Sequence, residues 1–372
     1  MKRLTQLDGV RGVAILMVLL WHYLFMQITA EQGSPLWFFQ RGLVLTWSGV
    51  DLFFVLSGFL IAGILLDHCQ ASNYFRIFYL RRTCRILPLY FLLLAICIAC
   101  IASGLSALAR FGWLFSGLMP LWSYATFTQN FFMGMRNQFG GNALSVTWSL
   151  AVEEQFYLVI PLLLRVFRRQ FAFWVLLAGV LAAPLLRSNL PVYFSLVSAP
   201  CCADALLSGA CLAILVRSGR FLALARRHQK ALLGIGFMLL FGAAALTLVG
   251  ASPVSSVTHL WLAGLFTLII LVAYLEAHAG LVWLLKRPVL VWLGRRSYGI
   301  YLLHLPVQGL LYGAVRSRAP YLVNLSDLAV TGASLLATLT LAAVSFRYFE
   351  SPILKFAHSF PYAKRQARRG GD

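Results

Sequence analysis

Apolar runs broken by short polar stretches set the rhythm of the chain. They fall at roughly 10–28, 43–66, 86–108, 144–164, 171–187, 197–216, 231–249, 258–276, 297–315 and 328–346. Each has about the length, ~20 residues, that an α-helix needs to cross ~30 Å of hydrocarbon. The expected fold is an all-α polytopic membrane protein of about ten transmembrane helices. One stretch resists this pattern. Residues 109–143 contain GWLFSGLMPLWSYATFTQNFF, apolar and aromatic but cut by Gly112, Gly117 and Pro120. It is read as a re-entrant or interface-lying segment.

Composition supports the membrane. Hydrophobic residues make up 60% of the chain and charged residues 11%, against about 25% charged in soluble domains; the mean hydropathy is +0.81. The net charge of +20 would suit nucleic acid, but its placement fits topology better, and no nucleic-acid partner is expected. With the N-terminus in the cytoplasm, 25 of the 31 Lys and Arg fall on the cytoplasmic side. The opposite side receives Arg41, Arg110, Arg136, Arg187, Arg316 and Arg318. That bias follows the positive-inside rule and predicts both termini in the cytoplasm. A single transmembrane domain over 1–355 is expected, followed by a basic cytoplasmic tail over 356–372. No signal peptide is invoked: the first run lacks an A-x-A site, and cleavage would discard Arg11 and His22. Cys97 and Cys100 form a C-x-x-C inside an apolar run, where a packing role is favoured over redox chemistry. No metal is expected.

Charges inside apolar runs carry more information. Asp51, Glu153, Glu154 and Asp204 all lie in proposed spans, where an ionisable group costs a few kcal/mol and defaults to an inward-facing functional role. Counting ~1.5 Å per residue places His22, Asp51, Glu153 and Asp204 in one band near the midplane or just outside it. Arg11, Arg82, Arg85, Arg295 and Arg296 fall at the cytoplasmic span ends. Two polar zones are expected, an anion-attracting inner mouth and an outer acid/base chamber. Arg11 and His22 are separated by about three helical turns and so share a face roughly 16 Å apart. That face is suited to lining a channel between the zones. The alternatives are that Arg11 snorkels to headgroups and that His22 bonds a neighbouring helix.

LDGVRGVAILMVLLWHY, GVDLFFVLSGFLIAGILL, RRTCRILPLY, TWSLAVEEQFYLVIPLLL, SYGIYLLHLPV and RYFESPI occur in that order. Together they resemble the acyltransferase-3 family of membrane acyltransferases over nearly the whole chain. The resemblance implies ten spanning helices in a bacterial cytoplasmic (inner) membrane. It also implies transfer of an acyl group, commonly acetyl from acetyl-CoA, to a hydroxyl of a cell-surface or exported polysaccharide or glycolipid. The short stretch after the last run resembles family members without an SGNH hydrolase-like domain. Carried over by position, His22 is the catalytic base and Arg11 its companion. Arg82 and Arg85 match the R-x-x-R pair, and Glu153 matches the acidic position of its block. His304 matches the histidine of S-Y-x-x-Y-L-x-H, in a donor-site or a packing role. Trp148, Ser149 and Tyr157 suit the walls, and Glu154 points about 100° away from Glu153.

The residue chemistry is compatible. Arg82 and Arg85, with Arg295 and Arg296, suit the phosphates of an acyl-CoA donor. A neutral imidazole at His22 suits proton removal from an attacking hydroxyl. Asp51 or Glu153 would orient it or bind the acceptor. The alternative reading is a proton-coupled transporter or lipid-linked sugar flippase. The sequence contains no internal repeat to support it.

Overall fold

The computed structural model describes residues 4–248 and 255–363. Lys2, Arg3, residue 249 of the seventh apolar run and the tail from 364 onward, with its four basic residues, lie outside the described residues. Among those described, ten helices have thirteen residues or more. They are α1 (Thr5–Leu20), α2 (Gly49–Asp67), α3 (Tyr74–Ala102), α4 (Thr147–Val166) and α5 (Arg169–Ser188). After them come α6 (Ala203–Leu215), α7 (Gln229–Leu248), α8 (Ser256–Leu275), α9 (Pro288–Arg316) and α10 (Leu325–Ser345). Each matches one apolar run. No strand occurs among the described residues, only an isolated bridge between Ile28 and Leu322. Six stretches are long and apolar enough to cross a membrane, or seven if α6 and Gly219–Arg227, bent by 99°, form one span. The chain is an all-α polytopic membrane protein. Neither α4 nor α9 is among the six; these helices carry Glu153 and Glu154, and Arg295, Arg296 and His304, respectively.

Several helices begin elsewhere than the apolar runs do. α3 starts at Tyr74 and α9 at Pro288, so Arg81, Arg82, Arg85, Arg295 and Arg296 are built into helices rather than preceding them. Arginine is a good helix former, and a proline at the first helical position loses no hydrogen bond. The run at 197–216 is not one helix: Val192–Val197 ends in a turn and α6 starts only at Ala203. Pro200 lies in that turn, where its missing N–H does no harm. The 109–143 segment folds into short helices, Ala109–Phe115, Leu121–Ala125 and Gln129–Arg136, none long enough to span. Phe111 presses on the backbone of Gly313 near the end of α9.

Contacts between chain-distant residues define two ends of the bundle. At one, Gln6 Nε2 donates to the Ala273 carbonyl at 3.3 Å, and Arg217 pairs with Asp67 at 2.8 Å. At the other, Leu322 N donates to the Gln27 carbonyl at 2.9 Å. The first, which holds the start of α1, is here called the arginine end.

Between the ends, glycine permits close helix contact. A Cβ on Gly294 would lie 1.8 Å from the Asp8 carbonyl oxygen, and one on Gly12 2.0 Å from that of Leu290. No side chain fits there, so α1 and α9 cross backbone to backbone, and Asp8 and Arg11 meet Arg295. The sequence beyond α10 covers the arginine end. Helix Ser351–His358 runs through position 355, and Arg81 Nη2 then donates to the Phe360 carbonyl at 2.8 Å. Tyr362 stacks on His68 with ring centroids 3.9 Å apart.

Candidate active site

A cavity of about 380 Å³ opens between α1, α2, α3, α4 and α9. Arg11, Arg82 and Arg85 line it, with Ser57, Glu153 and Tyr157 opposite. The spacing of three places Arg82 and Arg85 on one side of α3. A second cavity of about 570 Å³ adjoins it at the arginine end. It shares Arg11, Arg85, Tyr298 and His358 with the first, and adds Asp8, Arg295, Glu350 and Lys355.

The charges here do not cancel. Glu153 Oε1 accepts from Ser57 Oγ at 2.6 Å, and no ion pair joins it to an arginine among the described residues. Asp8 serves both Arg11 at 3.7 Å and Arg295 at 3.5 Å. Arg82 Nε is buried without a hydrogen-bond partner, as is one oxygen of Glu154. Three guanidiniums close enough to repel one another and short of carboxylates form a site that attracts an anion. Planar forks of this kind suit phosphate oxygens.

His22 lies deeper, in a π-helical turn (Trp21–Phe25) that continues α1. Turns of this type often mark functional positions. His22 Nδ1 is 2.9 Å from the Val18 carbonyl. A carbonyl only accepts, so Nδ1 carries the proton and the lone pair sits on Nε2. His304, fully buried, donates from Nδ1 to the Tyr301 carbonyl at 2.6 Å. Its Nε2 therefore faces His22 Nδ1 as an acceptor, at 3.4 Å. Gln27 Nε2 donates to the His22 carbonyl at 2.7 Å and holds the turn.

The structure regroups the residues expected in two separate zones. Arg11, Arg82, Arg85 and Glu153 share the first cavity, and Arg295 lines the second. His22 and His304 form a pair that lines neither. Arg11 and His22 occupy one helix, but only Arg11 lines the cavity; Val50, Phe53 and Tyr301 of its wall pack against an apolar cluster that includes Ile15, Val18 and Leu19 of α1. Asp51 lies elsewhere: its Oδ2 bonds His259 Nδ1 at 3.1 Å. The α2 residues that line the cavity include Val50, Phe53, Phe54 and Ser57 but not Asp51, which faces His259 on α8. Asp204, also expected in the chamber, pairs with Arg187 at 2.9 Å. Arg187 was expected as an outer topology charge; it is 4% exposed because that carboxylate draws it inside. Arg296 caps Trp292 and Phe346 with centroid distances of 4.4 and 5.2 Å and lines neither cavity.

Sequence reasoning missed Asp8, Ser57, Tyr301 and His358. Asp8 had a usable signal, since it precedes Arg11 by three positions and shares its helical face. Ser57 and Tyr301 lie inside the family-like blocks and His358 does not, but nothing local shows which distant helix any of the three meets. Among the described residues no three His, Cys, Asp or Glu are grouped to hold a metal ion.

A family model described as an acyltransferase domain matches residues 4–347. The peptidoglycan O-acetyltransferase of Listeria monocytogenes is 28% identical over 95% of this chain and 56% of its own length. A Staphylococcus aureus protein described as a candidate O-acetyltransferase is 25% identical over 95% of this chain and 58% of its own. An uncharacterised Haemophilus influenzae protein is 34% identical over 33% of this chain and 51% of its own length. The chain therefore spans a little over half the length of the two O-acetyltransferase relatives. No solved structure matches it.

Proposed function

The chain belongs to the acyltransferase-3 family, and on that premise we propose that it is a membrane O-acetyltransferase. It takes an acetyl group from cytosolic acetyl-CoA and delivers it to a hydroxyl of a cell-surface or exported glycan at the bacterial cytoplasmic membrane. One observation carries this reading. Three arginines that outnumber the carboxylates paired with them face a cavity that ends against a wall with a tautomer-fixed histidine pair behind it. The relatives named as O-acetyltransferases support the acetyl group, and the one named for peptidoglycan supports a cell-envelope glycan.

In this reading the arginine end faces the cytoplasm. The nucleotide end of CoA occupies the outer part of the cleft, with Arg295, Lys355 and His358 on its phosphates. Arg82 and Arg85 hold its inner part, and the thin pantetheine arm points toward the histidines. Glu153, fixed by Ser57, offsets part of the repulsion between Arg11 and Arg85 through space without pairing with either. The acceptor hydroxyl gives its proton to His22 Nε2 as its oxygen attacks the thioester carbonyl. The carbon–sulfur bond then breaks, and the imidazolium returns that proton to the departing sulfur, so acetyl ester and free CoA are the products. His304 Nε2 accepts from His22 Nδ1 and favours the charged imidazolium while it exists.

The test is reconstitution in vesicles with isotopically labelled acetyl-CoA and glycan on chosen sides. Label should appear on the glycan when donor meets the arginine end and acceptor the other. Glycan that crosses without gaining label would instead mark a transporter or flippase.

A further inference from the structure

The proposed function leaves a gap between the donor cavity and the base. Val50, Phe53 and Tyr301 line that cavity and also pack against the apolar cluster that holds Ile15, Val18 and Leu19 of α1 and Tyr23, the residue after His22. The Phe53 and Tyr301 rings meet edge to face, with centroids 6.4 Å apart. Tyr301 stands 5.7 Å, again between centroids, from the His304 ring. His22 and His304 line no part of the cavity, so a thioester there reaches them only when side chains of the wall move, and these two rings belong to that wall.

Tyr301 is held by a latch rather than by packing alone. Its hydroxyl donates to the Val146 carbonyl at 3.0 Å and accepts from the Ser149 hydroxyl at 2.6 Å. Meanwhile its backbone carbonyl accepts from His304 Nδ1 at 2.6 Å. The side chain can swing about χ1 while the carbonyl stays put, so the passage can open without releasing the histidine pair. Ser149 can turn its proton back to the Val146 carbonyl, 3.1 Å away, so the open state strands no donor on α4.

We propose that Phe53 and Tyr301 form a gate between the donor cavity and the histidine pair, and that this gate sets the acyl chain length the protein transfers. The inference rests on the proposed function and adds to it the residues that select the donor. An acetyl group carries one methyl past the carbonyl and needs only a small ring displacement. Each further methylene must push the rings farther, against packing on both sides. The selection is steric, so Phe53 and Tyr301 are specificity-determining residues, and no bond is made or broken at them.

Kinetics with two donors test this. Purified protein in vesicles is given glycan and either acetyl-CoA or butyryl-CoA, and kcat/KM is measured as CoA released. Phe53→Ala should lower the preference for acetyl over butyryl by about tenfold or more, the size expected when a hydrophobic pocket stops excluding one or two methylenes. Tyr301→Phe, which loses the latch but keeps the ring, should lower it by about threefold. If Phe53→Ala fails to fold, Phe53→Leu carries the same test with a smaller shift in the same direction. A folded variant that still consumes acetyl-CoA with the wild-type ratio overturns the gate and leaves the proposed function standing. Release of CoA from neither thioester by the wild-type protein overturns the proposed function, and the gate with it.

Discussion

Two buried arginine clusters sit in the same bundle and are built on opposite terms. Around Arg187 everything is answered. Its guanidinium reaches both Asp204 oxygens at 2.9 and 3.0 Å, the Cys201 carbonyl and, at 3.2 Å, the Ser256 carbonyl. Around Arg11, Arg82 and Arg85 the cations outnumber their carboxylates, one buried N–H is unpartnered, and all three face open volume. A charge inside a membrane protein is costly in either setting. In the first cluster the protein itself offsets that cost, so the pair ties the end of α5 to the start of α6. In the second a ligand must. Depth along a helix thus does not separate a site from a staple; what separates them is whether the partner belongs to the chain.

That contrast can be broken by substitutions that ought to affect only one side. The largest effect is expected at the base. His22→Gln cannot take a proton at neutral pH, and transfer per folded molecule should fall roughly 10²–10⁴-fold with the protein still inserted and folded. Retention of more than about a third of the rate would remove His22 from the base role.

At the staple the loss should be in stability. Asp204→Ala leaves the Arg187 cation buried without its carboxylate and should destabilise the bundle by about 3–5 kcal/mol. Thermal unfolding in detergent would register this, and transfer per folded molecule should stay near wild type. Equal loss of activity would make Asp204 part of the site after all. Replacing both charges, Asp204→Leu with Arg187→Met, should recover most of that stability.

Smaller still is the expected change at the donor arginines. Arg82→Ala or Arg85→Ala removes a charged hydrogen bond worth about 1.5–3 kcal/mol, which raises the apparent KM for acetyl-CoA roughly 10- to 100-fold. The KM for glycan should hardly move; a matched rise in both would argue against a donor role. Least affected should be Asp51→Asn. Its carboxylate serves His259, so transfer is expected within about threefold of wild type, and a loss near that of His22→Gln would bring Asp51 back into the chemistry.

The position of each long helix was legible from hydrophobic runs, because a helix in lipid must satisfy its own backbone and cover it with apolar side chains. Helix ends were less legible: the arginines of α3 and α9 lie inside helices, since once the apolar part is embedded the polar turns before it continue the same hydrogen bonding. Of the site, Arg11, Arg82, Arg85, Glu153 and His22 could be named from spacing and from resemblance to a family, and the structure does gather the first four around one cavity.

What one dimension could not carry was the pairing across helices. Asp51, Asp204 and Glu153 are the same chemistry at similar depth, yet their neighbours are His259, Arg187 and Ser57 respectively. Which neighbour each one meets depends on how α2, α4, α6 and α8 are rotated about their axes. That rotation is decided by close glycine contacts, such as the approach of Gly58 on α2 to the Leu206 carbonyl of α6. The wall of Phe53 and Tyr301 has the same origin, being made of residues 248 positions apart. The sequence determined the helices and the charges they bear. Only packing decided which charges face each other, which face a cavity, and what stands between the cavity and the histidines, because contact between helices depends on side-chain shape across a gap and not on order along the chain.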